Sequence, residues 1–292
     1  MVLKQLMQSS KLIHASVLIV LLACCAQAGP WPRKLGSGFV QLGFSTIGYD
    51  KIYNDASVKQ LLSADVRDNV LQVFADYGVT ADLTASVMVP FKFVSVVPIS
   101  SSLPRTDNSG FGDIGLALRK AWLNQDGFVL SSEVEVGLPV GTFTDANGLY
   151  LGDGDFNVAL RLLAGKSFYP SPFYISSDVA YEFRSLGLSD DLLYNVELGY
   201  GFAERRLYLI VLFSGRESTS MRPSLGPKPS LSDTLAAGLG LHSGNREYTA
   251  IIPKILYKFD PHWGIVGSWA TAVHGRNVAG GFVFAGGVFY EF

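Results

Sequence analysis

Charge is what this sequence has least of. Only 16% of its 292 residues are Asp, Glu, Lys or Arg, while 48% are hydrophobic; a soluble domain carries about a quarter charged. The 23 basic and 25 acidic side chains nearly balance, so there is no basic field for a nucleic-acid partner. Cysteine is almost absent. The two present, Cys24 and Cys25, are adjacent and near the N-terminus, which excludes a disulfide framework or a cysteine-ligated metal from the rest of the chain. Beyond residue 30 no run reaches the roughly 18 apolar residues of a membrane helix. Thirty-one dispersed glycines and 13 prolines exclude a coiled coil or a disordered protein. A chain this apolar without one long apolar segment must alternate.

The beginning of the chain reads as an address. Lys4 and Lys11 precede an apolar run from Ala15 to Cys24, and Ala26-Gln27-Ala28 forms a small-x-small cleavage site. This predicts a secretory signal peptide over 1–28, removed after Ala28, with 29–292 as the mature domain. Both cysteines would leave with it. Export without cysteine fits a bacterial envelope better than a disulfide-dependent secreted domain. One alternative stays open: Leu21-Leu22-Ala23-Cys24 loosely resembles a lipobox, which would make Cys24 a lipidated N-terminus.

From Gly38 onward, segments of about ten residues alternate in polarity between Gly, Pro, Asn and Asp punctuation. Val40, Leu42 and Phe44 alternate with Gln41, Gly43 and Ser45; Phe156, Val158, Leu160 and Leu162 alternate with Asp155, Asn157, Ala159 and Arg161. Successive strand side chains point to opposite faces. The oily face is nearly uninterrupted, and the polar face is rich in small residues with scattered charges of both signs. A soluble sandwich would carry more charge outward. The pattern predicts an all-β fold, an antiparallel transmembrane β-barrel, closed because lipid offers backbone groups no partner. Thirteen candidate strands fall at 38–49, 66–77, 83–93, 111–122, 128–139, 154–166, 173–184, 192–202, 207–216, 232–242, 247–258, 263–274 and 279–292. A bacterial barrel needs an even number, and Gly, Ser and Pro blur the pattern around Ser214 to Glu247. The expectation is 12 strands, with 14 as the alternative.

Short connections at 78–82, 123–127, 169–172, 203–206 and 260–262 are predicted as periplasmic turns. Longer outer loops are predicted at 50–65, 94–109, 141–152 and 217–230. Tyr49, Tyr77, Trp122, Phe168, Tyr200, Phe202, Trp263 and Tyr290 fall near segment ends, where aromatic girdles would sit. At the C-terminus Phe282, Phe284, Val288, Tyr290 and Phe292 share one face. Gly287, Tyr290 and the terminal Phe292 resemble the signal read by the barrel assembly machinery.

Parity also gives the inward set: Gln72, Asp76, Lys92, Asp113, Arg119, Glu133, Glu135, Arg161, Asp178, Glu182, Arg184, Glu197 and Lys254. Acids and bases mix, so interior ion pairs and a water-filled path both remain open, and strong ion selectivity is not expected. A barrel of 12 to 14 strands is too wide for its own side chains to fill easily, which favours a channel or a pocket. His242, His262 and His274 have no metal-ligand spacing. His242-Ser243 is the one adjacent pair, and neighbours on a strand face opposite ways. No catalytic residue, metal site or cofactor is expected. Asp153-Gly154-Asp155 and Asp190-Asp191 read as solvated loop acids rather than a calcium site. The segment Trp31 to Leu35 could plug the periplasmic end, judged from position alone.

Three short motifs carry a family resemblance. Ala75-Asp76-Tyr77-Gly78-Val79-Thr80, Gly110-Phe111-Gly112-Asp113-Ile114-Gly115-Leu116 and Gly275-Arg276-Asn277 resemble the hairpin, strand start and last outer loop of the family named for a putative MetA pathway of phenol degradation. Trp31-Pro32 through Leu35-Gly36 to Tyr49 is similar as well. Asp76 stands where Glu is usual and Val79 where Leu is frequent. The resemblance implies an outer-membrane barrel, in contact with outer-membrane lipid, that takes up small hydrophobic or aromatic compounds; it implies no catalytic residues. A non-transporting structural or export-associated barrel and an envelope lipid-modifying enzyme are the alternatives.

Overall fold

The computed structural model describes residues 29–54, 56–99, 105–141, 149, 151–186, 188–219 and 246–292. The leader with Cys24, the candidate strand at 232–242 and His242 lie outside the described residues. The strands are β1 (Gly38–Tyr53), β2 (Lys59–Gly78), β3 (Leu83–Pro98), β4 (Thr106–Phe111), β5 (Ile114–Gln125), β6 (Phe128–Leu138) and β7 (Asn157–Ser167). They continue with β8 (Phe173–Arg184), β9 (Asp191–Phe202), β10 (Leu207–Ser218), β11 (Glu247–Lys258), β12 (Trp263–Arg276), β13 (Val278–Ala279) and β14 (Phe282–Glu291). β4 and β5 both pair with β3 and form one interrupted stave; β13 and β14 both pair with β1 and form another. All neighbours are antiparallel, and β1 bonds to both β2 and β14. The result is a closed barrel of twelve staves, as expected from the alternation. β10 pairs directly with β11, from Leu207↔Tyr257 to Arg216↔Tyr248, so the described strands close the wall.

The five short connections form one end, together with the start of β1 and the end of β14. Local chemistry builds each turn. Between β5 and β6, Asp126 and Gly127 both take positive φ (52° and 75°), as a two-residue hairpin turn requires. A Cβ on Gly127 would stand 2.6 Å from the Ser167 carbonyl oxygen. Between β2 and β3, Thr80 donates to Asp82 at 2.6 Å and Lys120 pairs with the same carboxylate; these bonds hold the Asp82 carboxyl below its usual range. Between β11 and β12, Asp260 accepts the backbone N–H groups of His262 and Trp263 at 2.7 and 2.8 Å and is lowered likewise. Closure occurs at this end too: the backbone groups of Gly38 and Phe292 exchange bonds of 2.9 and 3.0 Å. Gly287 sits on the same seam, where a Cβ would lie 2.8 Å from the Leu42 carbonyl oxygen.

Outward positions form an apolar belt, including Leu42, Val73, Leu118, Leu160, Val179, Val196, Leu209, Ile265 and Phe284, all exposed. An apolar surface this continuous exceeds what a soluble monomer shows by far, and suits lipid.

The two long loops expected at 50–65 and 94–109 are largely strand. β1 and β2 pair from Gly38↔Tyr77 to Tyr53↔Lys59, and β3 runs on to Pro98. The reason is an inversion of polarity at the level where Thr46 faces Asn69. Below it the outward residues are Val40, Leu42, Phe44, Leu71 and Val73; above it they include Gly48, Asp65 and Arg67, with Leu61 and Val97 as apolar exceptions. The inward side changes in the opposite sense, from Gln41, Ser45 and Gln72 to Ile47, Tyr49, Ile52, Leu62, Ala64, Val66, Val94 and Val96, all buried. Beyond the lipid the wall obeys the rule for a soluble protein, with polar groups out and apolar groups in. Tyr49 therefore belongs to this inner cluster and not to a girdle. Tyr77, Trp122, Phe168, Tyr200, Phe202 and Trp263 are exposed at the outer surface.

Candidate functional site

All thirteen inward candidates sit on the inner side of the wall or, for Asp113, at the break between β4 and β5, but they do different things. At the turn end, Gly29–Ser37 enters the barrel. Ser131 donates to the Pro30 carbonyl at 2.6 Å, and the Trp31 ring meets Tyr174 edge-on at 5.6 Å. The Arg33 N–H donates to the Thr84 hydroxyl at 2.9 Å; its guanidinium lies 3.5 Å from Asp76 and 3.4 Å from Glu291 and covers the Phe39 ring. Gly165 is small where it must be, since a Cβ there would stand 2.5 Å from Pro30. The segment thus occupies the turn-end mouth.

At mid-height the charges pair across staves. Arg119 lies between Asp76 (3.7 Å) and Glu133 (3.4 Å). Arg161 holds Glu133 and Glu135 at 3.3 Å each, and Asp178. Asn195 donates to Asp178 at 2.9 Å. Lys254 pairs with Glu197 at 3.1 Å, which also accepts from the Tyr174 hydroxyl at 2.8 Å. Lys92 and Asp68, 3.4 Å apart, are wholly buried in the wall.

Towards the loop end, the described residues of the connection from β6 to β7, which are 139–141, 149 and 151–156, make inward contacts. Asp113, at the break between β4 and β5, accepts the N–H groups of Gly141 (3.0 Å) and Asp153 (2.7 Å). A one-residue bulge aims it there: four steps from Phe111 to Gly115 oppose three from Met88 to Phe91. Asn108 donates to the Leu149 carbonyl at 2.6 Å, and Leu149 and Leu151 are buried in the apolar cluster. Asp155 is buried and Asp153 half-buried, and both are paired with arginine. Arg184 reaches Asp155 at 2.9 Å and Asp153 at 3.5 Å, Arg246 holds Asp153 at 2.5 Å, and Arg216 bridges Glu182 (3.1 Å) and Asp191 (2.6 Å). Burial alone would raise the Asp153 carboxyl, but the Arg246 and Arg184 guanidiniums outweigh it and hold it well below the usual range.

Between these two closures lies a cavity of about 210 Å³. One wall is apolar, with Val70, Phe74, Met88 and Pro90; the other carries Glu135, Arg161, Asp178, Glu182 and Arg184. Gln72, Asp113 and Glu133 also border it. Asp76, Lys92, Arg119 and Lys254 do not, being committed to ion pairs below or within the wall, and Glu197 borders a smaller gap beside Gly29. Reading by parity missed Asn195 and Arg216, although both occupy inward positions of recognisable strands, and it missed the loop residues Asp153 and Arg246. It also passed over Phe74 and Met88 as apolar exceptions on a polar face. Among the described residues no group of three His, Cys, Asp or Glu could hold a metal ion.

No family model and no curated protein matches the chain. Solved structures do. The COG4313 outer membrane channel from Pseudomonas putida F1 matches with a TM-score of 0.72 at 14% identity, over 92% of this chain and 100% of that one. A KdgM porin matches with a TM-score of 0.51 at 9% identity, over 86% and 99%, and a NanC porin with 0.50 at 10%, over 86% and 100%. At these identities the likeness is one of fold.

Proposed function

We propose that this chain is a bacterial outer-membrane channel for the passive passage of small hydrophobic or aromatic molecules. The cavity carries the reading. It lies inside a closed, lipid-belted wall and offers an apolar face of Val70, Phe74, Met88 and Pro90 opposite a charged face. At about 210 Å³ it has room for one ring-sized solute, since a dry cavity of roughly 150 Å³ already accepts benzene. The channel-like fold of the solved relatives and the resemblance to the phenol-degradation family support it. Of the thirteen inward residues, Gln72, Asp113, Glu133, Glu135, Arg161, Asp178, Glu182 and Arg184 line this cavity, with Arg161 and its three carboxylates shaping the polar side. Export by the leader, recognition of Gly287, Tyr290 and Phe292 by the assembly machinery, and residence in outer-membrane lipid complete the reading, which assigns no enzymatic step.

The segment seated in the turn-end mouth favours a second reading, a structural barrel that transports nothing. Single-channel conductance of refolded 29–292 decides between them when paired with a variant lacking 29–36. Discrete steps in the full chain, enlarged in the shortened one, support the channel. Two folded but silent barrels establish the structural reading.

A further inference from the structure

A second gap of about 10 Å³ lies beside Gly29, bordered by Pro30, Ser176, Asp178, Asn195 and Glu197. It is rich in acceptors. Asn195 is only 5% exposed, its Nδ2 is committed to Asp178, and its Oδ1 meets no donor. Negative charge is in excess: three carboxylates, Glu133, Glu135 and Asp178, converge on Arg161. Arg119 is divided between Glu133 and Asp76, and Lys254 is matched by Glu197 alone. The backbone beside the gap is fixed, because Pro30 is bonded to Ser131 and Trp31 packs on Tyr174.

We propose that this gap is a receptor for a primary ammonium, and that its occupant is the α-ammonium of Gly29 itself. Within the precursor the Gly29 nitrogen is a neutral amide with one hydrogen. Hydrolysis of the Ala28–Gly29 bond by a signal peptidase consumes one water. Its hydroxyl ends on the Ala28 carboxylate, which leaves with the leader, and Gly29 gains an amine that takes up a proton near neutral pH. Three N–H donors then face Asp178, Glu197 and the Oδ1 of Asn195. A gap with room for about one water molecule admits an ammonium and excludes a bulkier head. Leader removal thereby locks 29–37 into the turn-end mouth, and a precursor that keeps its leader lacks the charge that completes the lock. This rests on reading that segment as a stopper and on cleavage after Ala28.

The test is pulse labelling of the folded mature barrel with an amine-reactive ester at pH 7, read by mass spectrometry of the N-terminal peptide. The site predicts that Gly29 is the first residue and that it labels at least 10-fold more slowly than in the unfolded chain. D178N/E197Q should restore labelling to near the unfolded rate. A variant with one serine inserted after Ala28, which alters no wall residue, should lose protection while keeping heat-modifiable mobility. Labelling of the folded wild type at the unfolded rate overturns the proposal, as does a different N-terminal residue or protection that survives in both variants. Conductance is scored separately: a protected Gly29 in a barrel silent with and without 29–36 leaves the ammonium site standing and removes the channel.

Discussion

Arg161 shows how much one interior side chain holds. It is the shared cation of Glu133, Glu135 and Asp178, so Arg161→Met leaves three carboxylates facing one another. Removing one partner of a buried pair costs about 3–5 kcal/mol, and a lowered urea midpoint of the barrel in vesicles should report a loss of that order. Asp153 gives the pH prediction. Its carboxyl is held well below the usual range by burial outweighed by Arg246 and Arg184. A depressed folded value means that its contribution is fully present above the unfolded carboxylate value of about 3.9, and is lost only as pH falls through the lower folded one. The extra protease resistance that wild type shows over Asp153→Asn at 151–153 should therefore be the same at about pH 7 and at about pH 5.

Asp113 ties down the described ends of the connection from β6 to β7, at Gly141 and Asp153. Asp113→Ala removes the acceptor of two backbone N–H groups. Cleavage in that loop should quicken by about tenfold, from roughly 1–3 kcal/mol of lost satisfaction, and conductance should rise if the loop narrows the path. The strands themselves were legible in the sequence because an alternating pattern in lipid has one meaning: Leu160 and Leu162 outward, Arg161 inward. Tyr49 was not, because alternation gives faces without saying which solvent each meets, and that solvent changes at Thr46. Asp153 and Asp155 were not legible either. A short acidic loop looks the same in sequence whether it meets water or the two arginines that pair with it here, Arg184 on neighbouring β8 and Arg246 just before β11. The seating of Trp31 on Tyr174 depends on a contact across 143 positions, which no local period encodes.

At the scale of the molecule, the belt and the ground above it should respond oppositely to charge. Leu160→Arg places a cation on the lipid-facing surface and should cost about 2–4 kcal/mol if it lies near the midplane, measured as the refolding free energy in vesicles. Arg67→Leu, outward but above the inversion, should leave that value within about 0.5 kcal/mol.

The inversion between Thr46 and Asn69 also works as a waterline. β2 continues above it for eleven residues, Lys59–Asn69, which at roughly 3.3 Å each and a tilt near 40° lifts its tip about 25–30 Å. β6 through β10 are only 11 or 12 residues long in all. The barrel is thus a vessel with a raised back and a low front, oily on the inside of the back where Leu149 and Leu151 lean against it. That inner face is already filled by its own packed cluster, so the upper stretch acts as a small core that stiffens the rim, while any passage belongs to the lower stretch of the same strands.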